Sequence, residues 1–521
     1  MKKLFFLFPL FLVLLTIGCE KNKDDDPNPD PNDSIPGDIN LPEGLLTTLE
    51  QFEDASAVLY QKGRFMHEST SACMYRQCHS DLIKAGSNLS QDEAFNELVS
   101  FSGMNSRNQV ITDLWDGFYE GLEIAVNMIQ SVQTLKDDRD NNIEDEQLNK
   151  YLGLGLFFRA YFHKSLVERW ENIVLMSENG VLLSENVTLS SKEDVYQYIT
   201  NDLYSAIEYL PERGAVSSPT EVSKAAARQL LALAFLDLQD YSQALSVIED
   251  VVNDPALALL STEEMADIFS PAHQDNSEII FSWEQGTDHP QLFAVEMVGF
   301  YDRAEGVSRT FDGGGRPFAR LLPSDYYWTL FTNEDARLEA WHKRFWTYDV
   351  DDEYDPLPDG VELGDTVTAD NFTSVSGNAF DEDMAPTTTK YWEDETLGRT
   401  IDNATGYKNI IQYRYAQTLL IAAEAAFRTG NAALAQQYLD QIRYRAGVQT
   451  IPVNIEAIVD EEARELAFEG HRSIMLRRLG IFADKVSANP FYSANFIPAY
   501  EIWPIPQIFI DEYGVTQNPG Y

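Results

Sequence analysis

A chain of 521 residues in which 44% of the side chains are hydrophobic has ample material for a large core. Its 38 Lys and Arg stand against 84 Asp and Glu, a formal net charge of −46 at pH 7, which repels nucleic acid and anionic membrane and disfavours a polyanionic ligand. Neutral ligands therefore lead, and beyond the N-terminal segment no apolar run is long enough to cross a bilayer.

Met1-Lys2-Lys3 supplies positive charge, and the almost wholly apolar stretch that follows, to Ile17, is too short to span a membrane; residues 1–18 read as a cleaved signal peptide. Leu15-Thr16-Ile17-Gly18-Cys19 resembles the lipobox of bacterial lipoproteins, which implies lipidation of Cys19 and anchoring through acyl chains. Residues 19–40 follow as an anchor and acidic spacer. From Glu20 to Asp33 there is no apolar side chain to bury, the carboxylates repel one another, and Pro27, Pro29 and Pro31 stiffen the backbone. The Lys-then-acidic start of this spacer resembles the surface-export signal of Bacteroidetes lipoproteins; an ordinary linker on a periplasm-facing lipoprotein is the alternative.

A helical period dominates residues 41–255. Cys73 and Cys78 lie five apart, a spacing that points to different helix faces, so a disulfide there requires irregular backbone and stays open beside two thiols. Ile111, Leu114, Trp115, Phe118, Leu122, Ala125, Ile129 and Val132 form one apolar stripe. Further helices are expected over Leu148 to Trp170 and over Ser190 to Leu210, the latter capped at Ser190 or Ser191. Ala227 to Leu238 and Tyr241 to Val252 read as an antiparallel helix pair around the turn Gln239-Asp240, with Ala where the helices approach closely.

Residues 256–521 change texture. From Ser270 to Asn409 Gly, Pro, Asp and aromatics dominate, with a short strand-like run at Glu278 to Trp283 and a short helix expected within Pro323 to Phe331. A second helix pair follows, Leu419 to Phe427 and Leu434 to Ile442, divided at Gly430-Asn431. Both pairs resemble tetratricopeptide repeats, and their wide separation argues against a continuous solenoid.

Asp460-Glu461-Glu462-Ala463-Arg464-Glu465-Leu466-Ala467-Phe468-Glu469-Gly470-His471-Arg472, Leu476-Arg477-Arg478-Leu479-Gly480, Trp503-Pro504-Ile505-Pro506 and the terminal Gln517-Asn518-Pro519-Gly520-Tyr521 together resemble the SusD/RagB family. Leu114-Trp115-Asp116-Gly117-Phe118-Tyr119, Phe158-Arg159-Ala160-Tyr161 and Arg414-Tyr415-Ala416 match further blocks of it. The resemblance implies a mainly α fold of tetratricopeptide-like helix pairs packed against a loop-rich, irregular ligand-binding subdomain. It implies a non-enzymatic surface lipoprotein of the outer membrane that captures glycan and delivers it to a SusC-like TonB-dependent transporter. A polysaccharide-degrading enzyme, capture of a non-sugar nutrient such as peptide, and a ligand-free scaffold are the alternatives. No cofactor is called for.

Glu465 and Glu469 sit one helical turn apart, but Arg464, His471, Arg472, Arg477 and Arg478 crowd the same segment, so an ion-pair network is a better reading than an acid/base pair. Phe311-Asp312-Gly313-Gly314-Gly315-Arg316-Pro317 lacks the Lys-Ser/Thr of a phosphate loop and reads as a surface loop. The acidic run from Asp349 to Asp359 does not have EF-hand spacing and reads as a solvated loop, with bound calcium as the alternative; no His or Cys set has zinc spacing, and no metal ligand is assigned. Sugar capture needs flat rings to stack on and amides or carboxylates at the rim. In the family such groups sit on loops after the first helices and in the irregular middle, which here offer Asp81, Phe101 and Asn105, then Phe293, Tyr301, Phe311 and Arg316. Trp341, Trp346 and Tyr348 come next, while Trp115, Phe118 and Trp283 read as core.

Overall fold

The computed structural model describes residues 44–68, 76–86, 89, 93–177, 187–286, 304–307, 320–353, 356–374, 379–393, 395–398 and 406–521. The signal peptide, Cys19, the spacer and Cys73 lie outside the described residues, so the disulfide question does too; Cys78 is buried.

Apolar residues at helical spacing build α1 (Leu49–Glu68), α2 (Glu93–Ser100), α3 (Gln109–Asp137), α4 (Asp145–Trp170), α5 (Lys192–Tyr209), α6 (Lys224–Asp237) and α7 (Tyr241–Val252). The caps follow sequence chemistry: the side chains of Asn108, Ser191 and Asp240 accept from the backbone N–H three residues on. After the short α8 (Asp325–Thr329) come α9 (Tyr415–Arg428), α10 (Ala432–Arg445), α11 (Ile455–Glu465), α12 (Arg472–Arg478), α13 (Phe482–Ala488) and α14 (Gln507–Tyr513). Among the described residues no helix is long and apolar enough to cross a membrane.

The helices stack in one unbroken order: α3 on α4, α4 on α5, α5 on α6, α6 on α7, α7 on α9, and α9 on α10. This corrects the expectation that wide spacing breaks the solenoid. The chain between α7 and α9 leaves the stack and returns, and its base is stapled by the antiparallel pair β2 (Ile279–Trp283) and β6 (Ile410–Arg414), in which Ile279 faces Arg414 and Trp283 faces Ile410. Ala225, Ala226, Ala227, Ala234, Ala422, Ala423 and Ala426 are fully buried, so small residues do sit where these helices meet. Gly121 lets α3 approach α4 so closely that a Cβ there would lie 2.6 Å from the Phe162 ring.

Ile39–Tyr521 is one compact unit, and a single apolar core runs through residues on both sides of position 255. Within the excursion, β4 (His342–Lys343) pairs with β5 (Thr387–Thr388), and a second small core gathers Ala304, Val307, Trp346, Tyr348, Val367 and Met384. Trp346 and Tyr348 are therefore packing residues, and Trp341 is buried with its indole N–H donating to the Met265 carbonyl. Their side chains are turned inward, which corrects their standing as the next ligand candidates.

Candidate functional site

Glu465 and Glu469, the one conspicuous carboxylate pair, lie at the centre of a buried ion-pair network. Arg414 donates from Nε to Glu469 and from Nη1 to Glu278 and Glu465, each at 2.7 Å. Arg337 reaches Glu465 at 3.0 Å and Glu461 at 2.7 Å, Arg445 also pairs with Glu465, and Lys390 reaches Glu469 at 2.6 Å. Trp341 roofs the cluster, with the Lys390 ammonium 4.6 Å from its ring centre. Burial alone would raise the pKa of Glu469, but Arg414 and Lys390 overcome it and hold the group at about 2. Glu465 is likewise pushed against by burial and pulled well below the carboxylate range by Arg445, Arg414 and Arg337. Both are held as carboxylates, so the pair fastens the end of α11 and the turn after it to β6 and to the excursion, as the local crowding of arginines suggested.

The sequence candidates for ligand contact have different fates. Asp81 is buried, its carboxylate held by Arg472 through Nε and Nη2 at 2.8 Å each. Phe101 is 1% exposed, stacked on His79 at 4.0 Å and on Tyr500 at 5.3 Å, and its φ of 56° places it in the left-handed region that a side chain adopts only when its surroundings hold it there. Both side chains face inward in this structure and offer nothing to a solvent ligand. Asn105 is exposed; its amide donates to the Gly103 carbonyl at 2.7 Å and its oxygen accepts from the Arg107 N–H. Phe293, Tyr301, Phe311 and Arg316 lie outside the described residues.

One piece of geometry ties the two named loop regions together. β1 (Ile83–Ala85) pairs antiparallel with β3 (Leu321–Pro323), so Ala85 faces Leu321, and the Gly86 N–H donates to the Arg320 carbonyl at 2.9 Å. The chain leaves this ladder at Gly86 and enters it at Arg320, side by side. The Ser324 hydroxyl then closes the other end on the Asp81 carbonyl at 2.7 Å. Sequence reasoning missed Phe345, which at 69% is the most exposed large apolar side chain among the described residues, with the Arg344 guanidinium 5.3 Å from its ring centre. Its neighbour Trp346 faces the small core, and that alternation along an extended segment was the signal available. Among the described residues no group of three or more His, Cys, Asp or Glu is placed to hold a metal ion.

A stack of helix pairs carrying a stapled, loop-rich excursion defines an α-helical repeat protein of the SusD fold. The chain belongs to the SusD/RagB family: residues 322–521 match the family described as "SusD family", and residues 38–236 match that described as "Starch-binding associating with outer membrane". It is 23% identical to SusD-like protein P25 of Formosa agariphila over 95% of this chain and 94% of that protein. It is 24% identical to a SusD-like protein of Bacteroides ovatus over 46% of this chain and 43% of that one. Among solved structures, a laminarin-binding SusD-like protein superposes with a TM-score of 0.71 at 22% identity, over 91% of this chain and all of that one. Surface glycan-binding protein A from Bacteroides thetaiotaomicron, in complex with laminarihexaose, gives a TM-score of 0.71 at 19% identity over 91% of this chain and all of that one. At these identities the likeness establishes the fold.

Proposed function

We propose that this protein is a surface-exposed, lipid-anchored glycan-binding protein of the outer membrane that delivers its ligand to a SusC-like TonB-dependent transporter. The observation that carries the reading is the shared fold over 91% of the chain with a structure whose own ligand is laminarin. The net charge of −46 agrees with a neutral glycan, and the exposed Asn105 and Phe345 are the kinds of side chain a sugar needs. In this reading Cys19 carries the lipid, and Phe293, Tyr301, Phe311 and Arg316 contribute to the binding face. The protein does no covalent chemistry, consistent with a carboxylate pair locked in arginine contacts.

Isothermal titration against laminarihexaose and a panel of plant, fungal and host glycans tests the assignment. Saturable binding of at least one is expected, without release of reducing ends. Binding of a peptide with no glycan bound would reassign the ligand, and reducing-end release abolished by one carboxylate substitution would make the protein an enzyme. Phe345→Ala is expected to weaken the cognate glycan roughly 2- to 10-fold, the worth of one stacked ring, while leaving the unfolding midpoint unchanged. Unaltered affinity would remove Phe345 from the binding face. Cys19→Ala should leave binding by the purified protein intact and abolish growth on that glycan.

A further inference from the structure

A partly open cavity of about 110 Å³ lies between α4, α6, α9, α11 and α12. One water needs roughly 10–15 Å³ for its centre, so there is room for several. Four cationic and four anionic side chains line it, so a ligand of either net charge gains nothing from the wall as a whole. Most of these groups are satisfied within the protein: Lys164 pairs with Glu168 and lies 3.7 Å from Asp237, and Arg478 grips both oxygens of Glu424 at 2.5 and 2.7 Å.

Two groups are left over. Arg76 is 7% exposed and donates from Nη2 to the Glu469 carbonyl at 3.0 Å, but its buried Nη1 has no hydrogen-bond partner among the described residues. Glu462 is 4% exposed and accepts from Arg472 at 2.8 Å, but its Oε1 has no partner among the described residues. Leaving such groups unmet is costly, since a buried polar atom forfeits its whole hydration. The position of Arg76 is built in: Gly470, at φ +89°, has no Cβ, and one placed there would come within 2.7 Å of Arg76 Nε. His471 lines the same space as a neutral imidazole, its pKa pushed down to about 3 by burial and by Arg76, so it can offer one donor and one acceptor.

We infer that this cavity is a binding site for a small neutral polyol or single sugar, one of whose hydroxyls accepts from Arg76 Nη1 while another donates to Glu462 Oε1. A hydroxyl is the neutral group that both donates and accepts, which is what one orphaned donor and one orphaned acceptor require. Leu233, Ile421 and Met475 also line the cavity, and against them water finds no partner, whereas the C–H faces of a polyol cover them. The inference does not rest on capture of a polymer at the surface: its groups, Arg76 and Glu462, are buried side chains and are not among the residues assigned to the binding face.

The test is titration of the purified full chain with D-glucose and with glycerol, beside laminarihexaose as the surface ligand. Saturable uptake of glucose or glycerol at one site per chain is expected, and an X-ray structure of crystals soaked in the bound molecule should place it on Arg76 and Glu462. Leu233→Phe, which fills the cavity, should weaken that uptake at least tenfold without altering binding of laminarihexaose. Should that variant not fold, Glu462→Gln, which keeps shape and replaces a charged acceptor, decides the matter with a tenfold loss expected. No saturable uptake by the wild type, uptake unchanged in the variants, or ordered water alone in the soaked cavity would overturn the inference. Failure of laminarihexaose binding with uptake retained would count only against the surface reading.

Discussion

The local arginines made Glu465 and Glu469 look structural, and they are, yet the partners come from elsewhere. Arg464 pairs with Glu461, Arg472 with Asp81 and Glu462, and Arg478 with Glu424, while Glu465 itself is held by Arg337, Arg414 and Arg445. Crowding of charge was legible in one segment; convergence from segments far apart in the chain was not. Glu465→Gln leaves these arginines buried with too little negative charge and is expected to lower the unfolding free energy by about 3–5 kcal/mol, read by urea denaturation. Acid should act first through histidine. His79, His163, His342 and His471 have their pKa values pushed down from 6.5 to about 3, chiefly by burial. Between those values the unfolded chain binds more protons than the folded one, so stability falls as pH drops from 6.5 toward 3. Glu461 and Glu469, held near 2 by their arginine partners against burial, add losses in the same direction from 4.5 downward. His342 is fixed as a neutral tautomer: its Nδ1–H donates to the Arg337 carbonyl, so Nε2 accepts from the Tyr327 hydroxyl. His342→Gln is therefore expected to flatten the stability slope between pH 5 and 6.5 by about 1 kcal/mol per pH unit, measured by denaturation at several pH values.

At the scale of elements, caps and apolar periods located the helix pairs almost to their ends, because those signals are local. Close approach between helices is not local. Nothing adjacent to Gly121 in sequence announces that the Phe162 ring will lie against it. Gly121→Ala is expected to cost about 1–3 kcal/mol through overpacking of α3 on α4. Gly214→Ala, where a Cβ meets only the Ala256 methyl at an ordinary 3.5 Å, should shift the thermal midpoint little, and the two variants compared by calorimetry separate packing from composition. Phe101 shows the opposite failure. An aromatic in a segment without periodicity looked available to a sugar, but its ring is enclosed by His79, Tyr492, Phe496 and Tyr500, most of them hundreds of residues away.

At the scale of the whole molecule, the change of texture near position 255 falls within a single shared core. Ala244, Ile248 and Val251 of α7 are fully buried in a core shared with α9, so the piece 41–255 would expose an apolar face in place of a partner helix. Produced alone, it is expected to lack a cooperative unfolding transition or to self-associate, as denaturation and light scattering would report. The family resemblance was legible because its motifs are contiguous strings; the continuity of the helix stack was not, because it depends on the β2–β6 staple. The β1–β3 ladder carries a last consequence. Its two strands are separated by 235 residues of chain between Ala85 and Leu321, and the N-terminal strand waits unpaired until the later one has been made. In the proposed reading, a chain arrested in transit has no glycan face to offer, so ligand binding doubles as a certificate that folding at the cell surface is complete.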